Sequence, residues 1–309
     1  MSERGPILCA TDLGTTGARA VDLAARMAGA TGRPLRLAHV TAPGPELTEA
    51  DAELTEAERV LRERLRARIE AAAAALEKER ARAEGMGPHV EADLLEGRPW
   101  EQIIEHAARV QASLVVVGPH GAGGPLAAGR GGLTEHVLGT TADRVIRHAP
   151  CPVLVSSREG ATERVQGGRW LVAVDFSPYS RAALRVAHEL APACGAELVA
   201  VHVVPEILES ELEGSELVRF VGDDSPPRAR AYVDELAAFV KDELGAETAS
   251  KVALGAPASS LALAAGALGA TMIVMGTRGR TGLAHLLLGS VVERTLRRSP
   301  VPVLCARPS

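Results

Sequence analysis

A glycine-rich segment in the last third of the chain carries the residues best suited to binding a ligand. Two residues separate Gly276 from Gly279, and nine separate Gly279 from Gly289, which Ser290 follows directly. Glycine lets backbone N–H groups approach an anion because no Cβ stands in the way. A helix N-terminus adds unpaired N–H donors and a favourable dipole. The spacing therefore favours a phosphate-binding site over a set of unrelated turns.

Side chains beside these glycines could add to such a site. Ser290 supplies a hydroxyl group and is expected to cap the helix that follows, while Arg278 and Arg280 place cations nearby. The chain contains no G-x-x-x-x-G-K-[ST] sequence, so it lacks the lysine with which P-loop proteins reach the β- and γ-phosphates. We therefore do not expect fast hydrolysis of a nucleoside triphosphate, and we assign no catalytic residue and no metal ligand.

Short runs of β-branched residues alternate with segments of helical periodicity, which predicts an α/β fold with a parallel sheet and helices on both faces. In the second half of the chain, four strand–helix units are followed by a fifth strand, as in flavodoxin-like folds. The predicted strands there cover residues 170–175, 197–204, 250–254, 271–276 and 301–306, and the predicted helices cover residues 179–193, 227–244, 257–268 and 290–298.

Sheets of this kind bind ligands beyond the carboxyl ends of their strands, where the strand order reverses. Asp175 ends the first predicted strand of the second half, Val203 lies at the end of the second, and Gly276 ends the fourth. We therefore expect these three residues to meet at one site.

The chain repeats itself once. Residues 7–12 match residues 170–175, and residues 132–157 match residues 282–307 with glycine and proline in register at three positions. The repeat predicts two tandem flavodoxin-like, Rossmann-like domains, residues 1–157 and 168–309, each with a five-stranded parallel sheet. A polar linker is expected within residues 156–168.

The first half keeps most of the candidate site. The equivalent residues are Asp12, Val40, Gly118, Gly121, Gly139 and Thr140. However, 17 residues rather than nine separate Gly121 from Gly139. The extra segment, around residues 122–131, could fold away and leave a phosphate site, or it could occupy the pocket, and the sequence leaves both outcomes open.

Composition argues against several classes of partner. Aromatic residues make up 2% of the 309 residues, too few to stack the bases of a single-stranded nucleic acid, and the net charge of −5 gives no overall basic field for a phosphate backbone. No apolar run approaches the roughly 20 residues that span a bilayer. The four cysteines form no C-x-x-C pair, which favours reduced thiols and a cytoplasmic location.

The segments VMGTRGRTGL at 274–283, LGSV at 288–291 and RRSPVPVL at 297–304 together resemble the signature of the universal stress protein family, and the resemblance extends over both halves. It implies that ATP is held at this loop. By resemblance, Asp175 and Val203 would frame adenine and ribose, and ribose and phosphates would be held by Gly276, Gly279, Gly289, Ser290 and Val291. Asp175 is also a candidate for supporting Mg²⁺ through a water molecule.

The same resemblance implies that the closing strands of the two domains, residues 152–156 and 302–306, pair antiparallel. One chain would then imitate a dimer of single-domain members, and a further homodimer is left open. The implied function is a cytoplasmic stress-response regulator controlled by adenine nucleotide. A slow ATPase or phosphotransferase that uses the same pocket remains an alternative.

Three further features of the sequence are relevant to these alternatives. An amphipathic helix is predicted over residues 48–83, with an apolar stripe that includes Leu61, Leu65 and Ile69, and a nucleotide-free scaffold could act through it. His39 and His202 occupy equivalent strand positions and are predicted to lie in the core or pocket wall. The acidic residues 206–224 are predicted to form a mobile loop beside the ligand.

Overall fold

The computed structural model describes residues 5–41, 55–121, 138–157, 165–205, 218–222, 224–225, 227–279 and 288–308. The first half contains strands β1 (Ile7–Ala10), β2 (Leu35–Thr41), β3 (Val90–Glu96), β4 (Leu114–Val117) and β5 (Val153–Val155). Its helices are α1 (Thr15–Thr31), α2 (Glu56–Glu84), α3 (Pro99–Arg109) and α4 (Thr140–His148).

The second half repeats this order with one additional strand. Its strands are β6 (Arg169–Ala173), β7 (Glu197–Val204), β8 (Arg219–Phe220), β9 (Ala249–Leu254), β10 (Ala270–Gly276) and β11 (Val303–Ala306). Its helices are α5 (Pro178–Leu190), α6 (Pro227–Leu244), α7 (Pro257–Ala267) and α8 (Ser290–Arg298).

All of these strands belong to one sheet, in the order β3-β2-β1-β4-β5-β11-β10-β6-β7-β9-β8. Five strands of each half run parallel to one another, which confirms the predicted α/β fold with its doubly wound strand order. Strands β5 and β11 pair antiparallel, with Val155 opposite Val303 and Val153 opposite Cys305. The expected antiparallel pairing of the closing strands is thus confirmed, and it makes the two halves run in opposite directions.

Helices cover both faces of the sheet because its strands are apolar on both sides. One core lies under α1, α2, α5 and α6, and it is continuous across the two halves. The other lies under α3, α4, α7 and α8. As the scarcity of aromatic residues predicts, both cores are built almost entirely from Ala, Val, Leu and Ile, and the fully buried Trp170 is the largest exception.

The structure corrects some predicted boundaries, and others lie outside the described residues. Strand β6 ends at Ala173 rather than at residue 175, and β11 begins at Val303 rather than at residue 301. Helix α5 ends at Leu190 rather than at residue 193. Helix α2 is described from Glu56, so residues 48–54 of the predicted helix lie outside the described residues. Within the predicted loop 206–224, strand β8 pairs antiparallel with β9, Phe220 lying opposite Ala253, because the edge of β9 offers unpaired backbone groups. Residues 206–217 and 223 lie outside the described part.

Candidate functional site

The site of each half lies at the point where the strand order reverses. In the first half, β1 lies between β2 and β4, so the turn after β1 and the turn after β4 open side by side. In the second half, β6 lies between β7 and β10 in the same way. Since β5 and β11 are antiparallel, these two crevices lie at opposite ends of the continuous sheet.

Strand register brings the predicted residues of the second half to one level. Ala173, the last residue of β6, lies beside Val201 of β7. Asp175, two residues beyond the end of β6, therefore lies level with Val203, near the end of β7. Val203 is buried and belongs to the core under α7 and α8. Asp12 and Val40 are related in the same way, because Ala10 lies beside Ala38.

Asp175 is held by the start of helix α5. Oδ1 of Asp175 accepts hydrogen bonds from the amide of Ser177 at 3.1 Å and from its hydroxyl at 2.5 Å. Ser177 is the N-cap of α5, and its Oγ accepts from the amide of Ser180 at 3.2 Å. In the first half, Oδ1 of Asp12 accepts from the amide of Gly14 at 2.9 Å, and Gly14 has no hydroxyl to add.

The second oxygen of Asp175 faces Gly279. A Cβ on Gly279 would lie 2.8 Å from Oδ2 of Asp175, closer than such atoms normally approach. The corresponding Cβ on Gly121 would lie 3.9 Å from Oδ2 of Asp12. The structure therefore brings the aspartate and the second glycine of the motif together in both halves, more tightly in the second.

Gly276 has a structural reason of its own to be glycine. A Cβ there would lie 2.6 Å from Cβ and 2.8 Å from the carbonyl carbon of Tyr179, in the first turn of α5. Gly118 is packed less tightly, since its Cβ would lie 3.0 Å from a methyl group of Thr16. Close packing of helix on strand thus accounts for the first glycine of the motif without any ligand.

The start of helix α8 differs from the prediction in one respect. Gly289, not Ser290, is the N-cap, and no side chain caps it within the described residues. The amide of Gly289 already donates to the carbonyl of Thr277 at 3.1 Å, so it is not a free donor. The first helical bond joins the amide of Glu293 to the carbonyl of Gly289. The amides of residues 290–292 precede that bond and have no acceptor within the helix.

The first half repeats this arrangement at α4. Gly139 is the N-cap, its amide donates to the carbonyl of Pro119 at 2.8 Å, and Thr140 begins the helix. Ser290 and Thr140 are both exposed, while Val291 is half-buried against the neighbouring core. Residues 122–137 and 280–287, including Arg280, lie outside the described part of the chain.

Arg278 is oriented by Tyr179. Its Nη1 donates to the hydroxyl of Tyr179 at 3.0 Å, and its guanidinium carbon lies 5.7 Å from the centre of the tyrosine ring. The guanidinium is thereby kept beside Tyr179, in the first turn of α5. Sequence reasoning missed this pairing, because the two residues are far apart in the chain and tyrosine is not part of the glycine pattern.

The sequence profile of the universal stress protein family matches residues 3–157 and, a second time, residues 168–307. The chain belongs to the universal stress protein family. Its relatives include the universal stress protein Rv2005c of Mycobacterium tuberculosis, 29% identical over 71% of this chain and 70% of the relative. A universal stress protein of Mycolicibacterium smegmatis is 27% identical over 98% of this chain and 97% of its own length.

Solved structures of universal stress proteins share the fold. A crystal structure from Archaeoglobus fulgidus superposes with a TM-score of 0.68 at 22% identity and covers all of both chains. One from Pseudomonas aeruginosa superposes with a TM-score of 0.59 at 20% identity and covers 99% of this chain and 94% of that one. These likenesses concern the fold of both halves, including their arrangement in one chain.

Two further properties of this universal stress protein are the apolar character of its helices and the state of its cysteines. None of the helices in the described ranges is long and apolar enough to cross a membrane. All four cysteines are free thiols, and Cys9, Cys194 and Cys305 are buried. Desolvation raises the pKa of Cys305 to about 12 and that of Cys194 to about 11, so neither thiol is ionised near neutral pH.

Proposed function

We propose that the second half of this universal stress protein binds ATP, and that the nucleotide controls its role as a cytoplasmic stress-response regulator. The observation that carries the proposal is the approach of Asp175 to Gly279. It leaves a carboxylate oxygen facing a glycine at the mouth of the crevice where the strand order reverses. Such crevices are where doubly wound sheets hold their ligands.

The chemistry of the surrounding groups suits an adenine nucleotide. Oδ2 of Asp175 is an acceptor for a ribose hydroxyl or an amino group of the base. The amides of residues 290–292 and the dipole of α8 attract phosphate oxygens. Arg278, held by Tyr179, adds a cation, and bound Mg²⁺ would neutralise phosphate charge. The absence of a Cβ at Gly279 lets the backbone of this residue lie close to Oδ2 of Asp175.

A matched pair of glycine variants tests the proposal. Isothermal titration calorimetry with ATP, with and without Mg²⁺, is expected to show at least a tenfold weaker Kd at the second site for Gly279→Ala. The reason is that the new methyl group displaces the carboxylate of Asp175. Gly121→Ala is the control, because its Cβ would lie 3.9 Å from Asp12. It should leave the second site unchanged. Equal ATP affinity of Gly279→Ala and wild type would reject the assigned site.

The same proposal extends to the first half, where Asp12, Val40, Gly118, Gly121, Gly139 and Thr140 form the equivalent arrangement. Asp12 accepts a hydrogen bond from the amide of Gly14, whereas Asp175 accepts from both the amide and the hydroxyl of Ser177, and we expect weaker binding in the first half. A calorimetric stoichiometry of two, with the weaker component removed by Asp12→Ala, supports this extension. A stoichiometry of one that Asp175→Ala abolishes would restrict nucleotide to the second half.

The regulatory part of the proposal has its own test. Nucleotide recovered after several hours of incubation should remain ATP, whereas conversion to ADP at a rate abolished by Asp175→Ala would make the protein an ATPase. Sedimentation of the nucleotide-bound and nucleotide-free chains tells whether assembly of two chains responds to nucleotide.

A further inference from the structure

A histidine in each half is hydrogen-bonded to the residue immediately before the site aspartate. Nδ1 of His202, on β7, lies 2.7 Å from the carbonyl oxygen of Val174. Nδ1 of His39, on β2, lies 2.8 Å from the carbonyl oxygen of Thr11. The same contact thus occurs twice, at equivalent places, between residues that are 28 positions apart in each half.

The acceptor fixes where the proton lies on the ring. A backbone carbonyl can only accept, so Nδ1 of His202 must carry the hydrogen and donate it. His202 is 6% exposed, and a buried carbonyl that loses its donor is costly to leave unpaired. The ring therefore holds the carbonyl of Val174 in one orientation.

The residue on the other side of Asp175 also contacts this histidine. The ring of Phe176 lies 4.7 Å from the ring of His202, centre to centre, and Tyr232 of α6 lies 5.0 Å from His202. Phe176 has a φ of +64°, in the left-handed region that non-glycine residues rarely adopt. A backbone of this kind persists only where its surroundings enforce it. His202 thus contacts both neighbours of Asp175 in the chain.

The first half has the same turn, held by different side chains. Leu13 follows Asp12 with a φ of +61°, and it packs into the core under α1 and α2. His39 is half-buried rather than buried. The hydrogen bond from histidine to the carbonyl occurs in both halves, whereas the aromatic packing of His202 involves Phe176 of the second half.

We propose that His202 is a positioning residue for nucleotide binding, which directs Oδ2 of Asp175 towards Gly279 by holding the carbonyl of Val174. His39 has the same role towards Asp12. This inference rests on the proposed function, and it adds a residue that lies behind the turn. It predicts that the Nδ1–H donor, rather than the charge or bulk of the ring, is what the site requires.

Amide side chains separate these contributions. Asparagine places an N–H group near the position of Nδ1, whereas glutamine places one near Nε2. Calorimetry with ATP should therefore give a Kd within about threefold of wild type for His202→Asn, and a Kd raised at least tenfold for His202→Gln and His202→Leu. Variants of His39 are the matched controls, since they should alter only the first site. Circular dichroism at the assay temperature checks that each variant is folded.

Failure of the positioning role of His202 can be distinguished from failure of the proposed function. If wild type binds no nucleotide, the proposed function fails. If wild type binds and His202→Gln binds equally well, the positioning role is overturned. Equal weakening by asparagine and glutamine would also overturn it, because packing rather than the Nδ1 donor would then be responsible. Independently, ¹⁵N chemical shifts of the imidazole should show the Nδ1–H tautomer, and an Nε2–H tautomer would contradict the assigned hydrogen bond.

Discussion

Arg33, just after helix α1 in the first half, donates from Nη2 to Oε1 of Glu189 in helix α5 of the second half, at 3.0 Å. The arginine side chain is 7% exposed and the glutamate side chain is 47% exposed. Nearby, Met27 of α1 contacts Cys194 beyond the end of α5. These contacts join the two halves on the face of the sheet that α1 and α5 cover.

The ion pair predicts an asymmetric response to mutation. Glu189→Ala leaves the buried guanidinium of Arg33 without this carboxylate and should lower the free energy of unfolding by about 1–2 kcal/mol. Arg33→Met removes the charge together with the need to pair it and keeps much of the volume, so it should cost less. Urea denaturation of both variants checks this order, and a larger loss for Arg33→Met would contradict it.

Gly276 should be intolerant of any side chain for reasons of packing. Gly276→Ala places a methyl group against backbone atoms of Tyr179 at 2.8–2.9 Å, which should lower the free energy of unfolding by about 1–3 kcal/mol. In Gly118→Ala the nearest atom is a side-chain methyl of Thr16 at 3.0 Å, so a smaller loss is expected. Thermal denaturation compares the pair, and equal Tm values for the two variants would refute the packing argument.

The cap of helix α5 offers a prediction that links stability to the site. Ser177→Ala removes the acceptor of the Ser180 amide and one donor to Asp175, at a cost of about 1 kcal/mol in unfolding free energy. It should also weaken ATP binding at the second site, because Asp175 loses one of its restraints. Ser180→Ala is the control, since its hydroxyl donates to the carbonyl of Ser177 rather than to Asp175. Unaltered stability of Ser177→Ala would argue against the cap.

His106 should make the stability of the first half depend on pH. It is 3% exposed, its Nε2 lies 3.1 Å from Asp93, and Arg109 contacts its Nδ1. Burial lowers the pKa of His106, and this outweighs the opposing effect of Asp93. The unfolded chain therefore binds this proton more readily, near its ordinary pKa of about 6.5. The stabilisation is present above that pH and is lost as the pH falls towards the lower pKa of the folded state.

The measurement for His106 is the free energy of unfolding at pH 7.5 and 5.5 in wild type and in His106→Gln. Wild type should lose more stability than the variant over this interval, because glutamine does not titrate. An identical loss in both would show that other groups govern the pH dependence.

The four cysteines should be nearly inert in the folded protein. Burial raises the pKa of Cys151 to about 12 and raises that of Cys9 further still, so the reactive thiolate is scarce at pH 8. A thiol reagent such as DTNB should react at least a hundredfold more slowly with the native protein than in urea. Prompt reaction of one thiol per native chain would contradict the burial of Cys9, Cys194 and Cys305 and the raised pKa of the half-buried Cys151.

Much of the fold could be predicted because it depends on local patterns. The alternation of apolar runs and helical segments, and their repetition, predicted the strands and helices of both halves. The pairing of β5 with β11 was predicted from the family resemblance. The exact ends of helices were harder to predict. Helix α5 ends early at Leu190, and Gly289 rather than Ser290 caps α8. A helix end depends on which hydrogen bonds the surrounding structure leaves unmade.

The sequence by itself determined that there are two copies of one unit, and which aspartate, valine and glycine positions end at the same edge of each sheet. Only the tertiary structure decided how these residues act on one another. It placed Gly276 against Tyr179 and Gly279 against Asp175, and it joined His202 to Val174. It also set the two crevices at opposite ends of one sheet through the antiparallel β5–β11 pair. The physical reason is that these relationships depend on distances of a few ångströms between residues far apart in the chain, which periodicity and spacing do not encode.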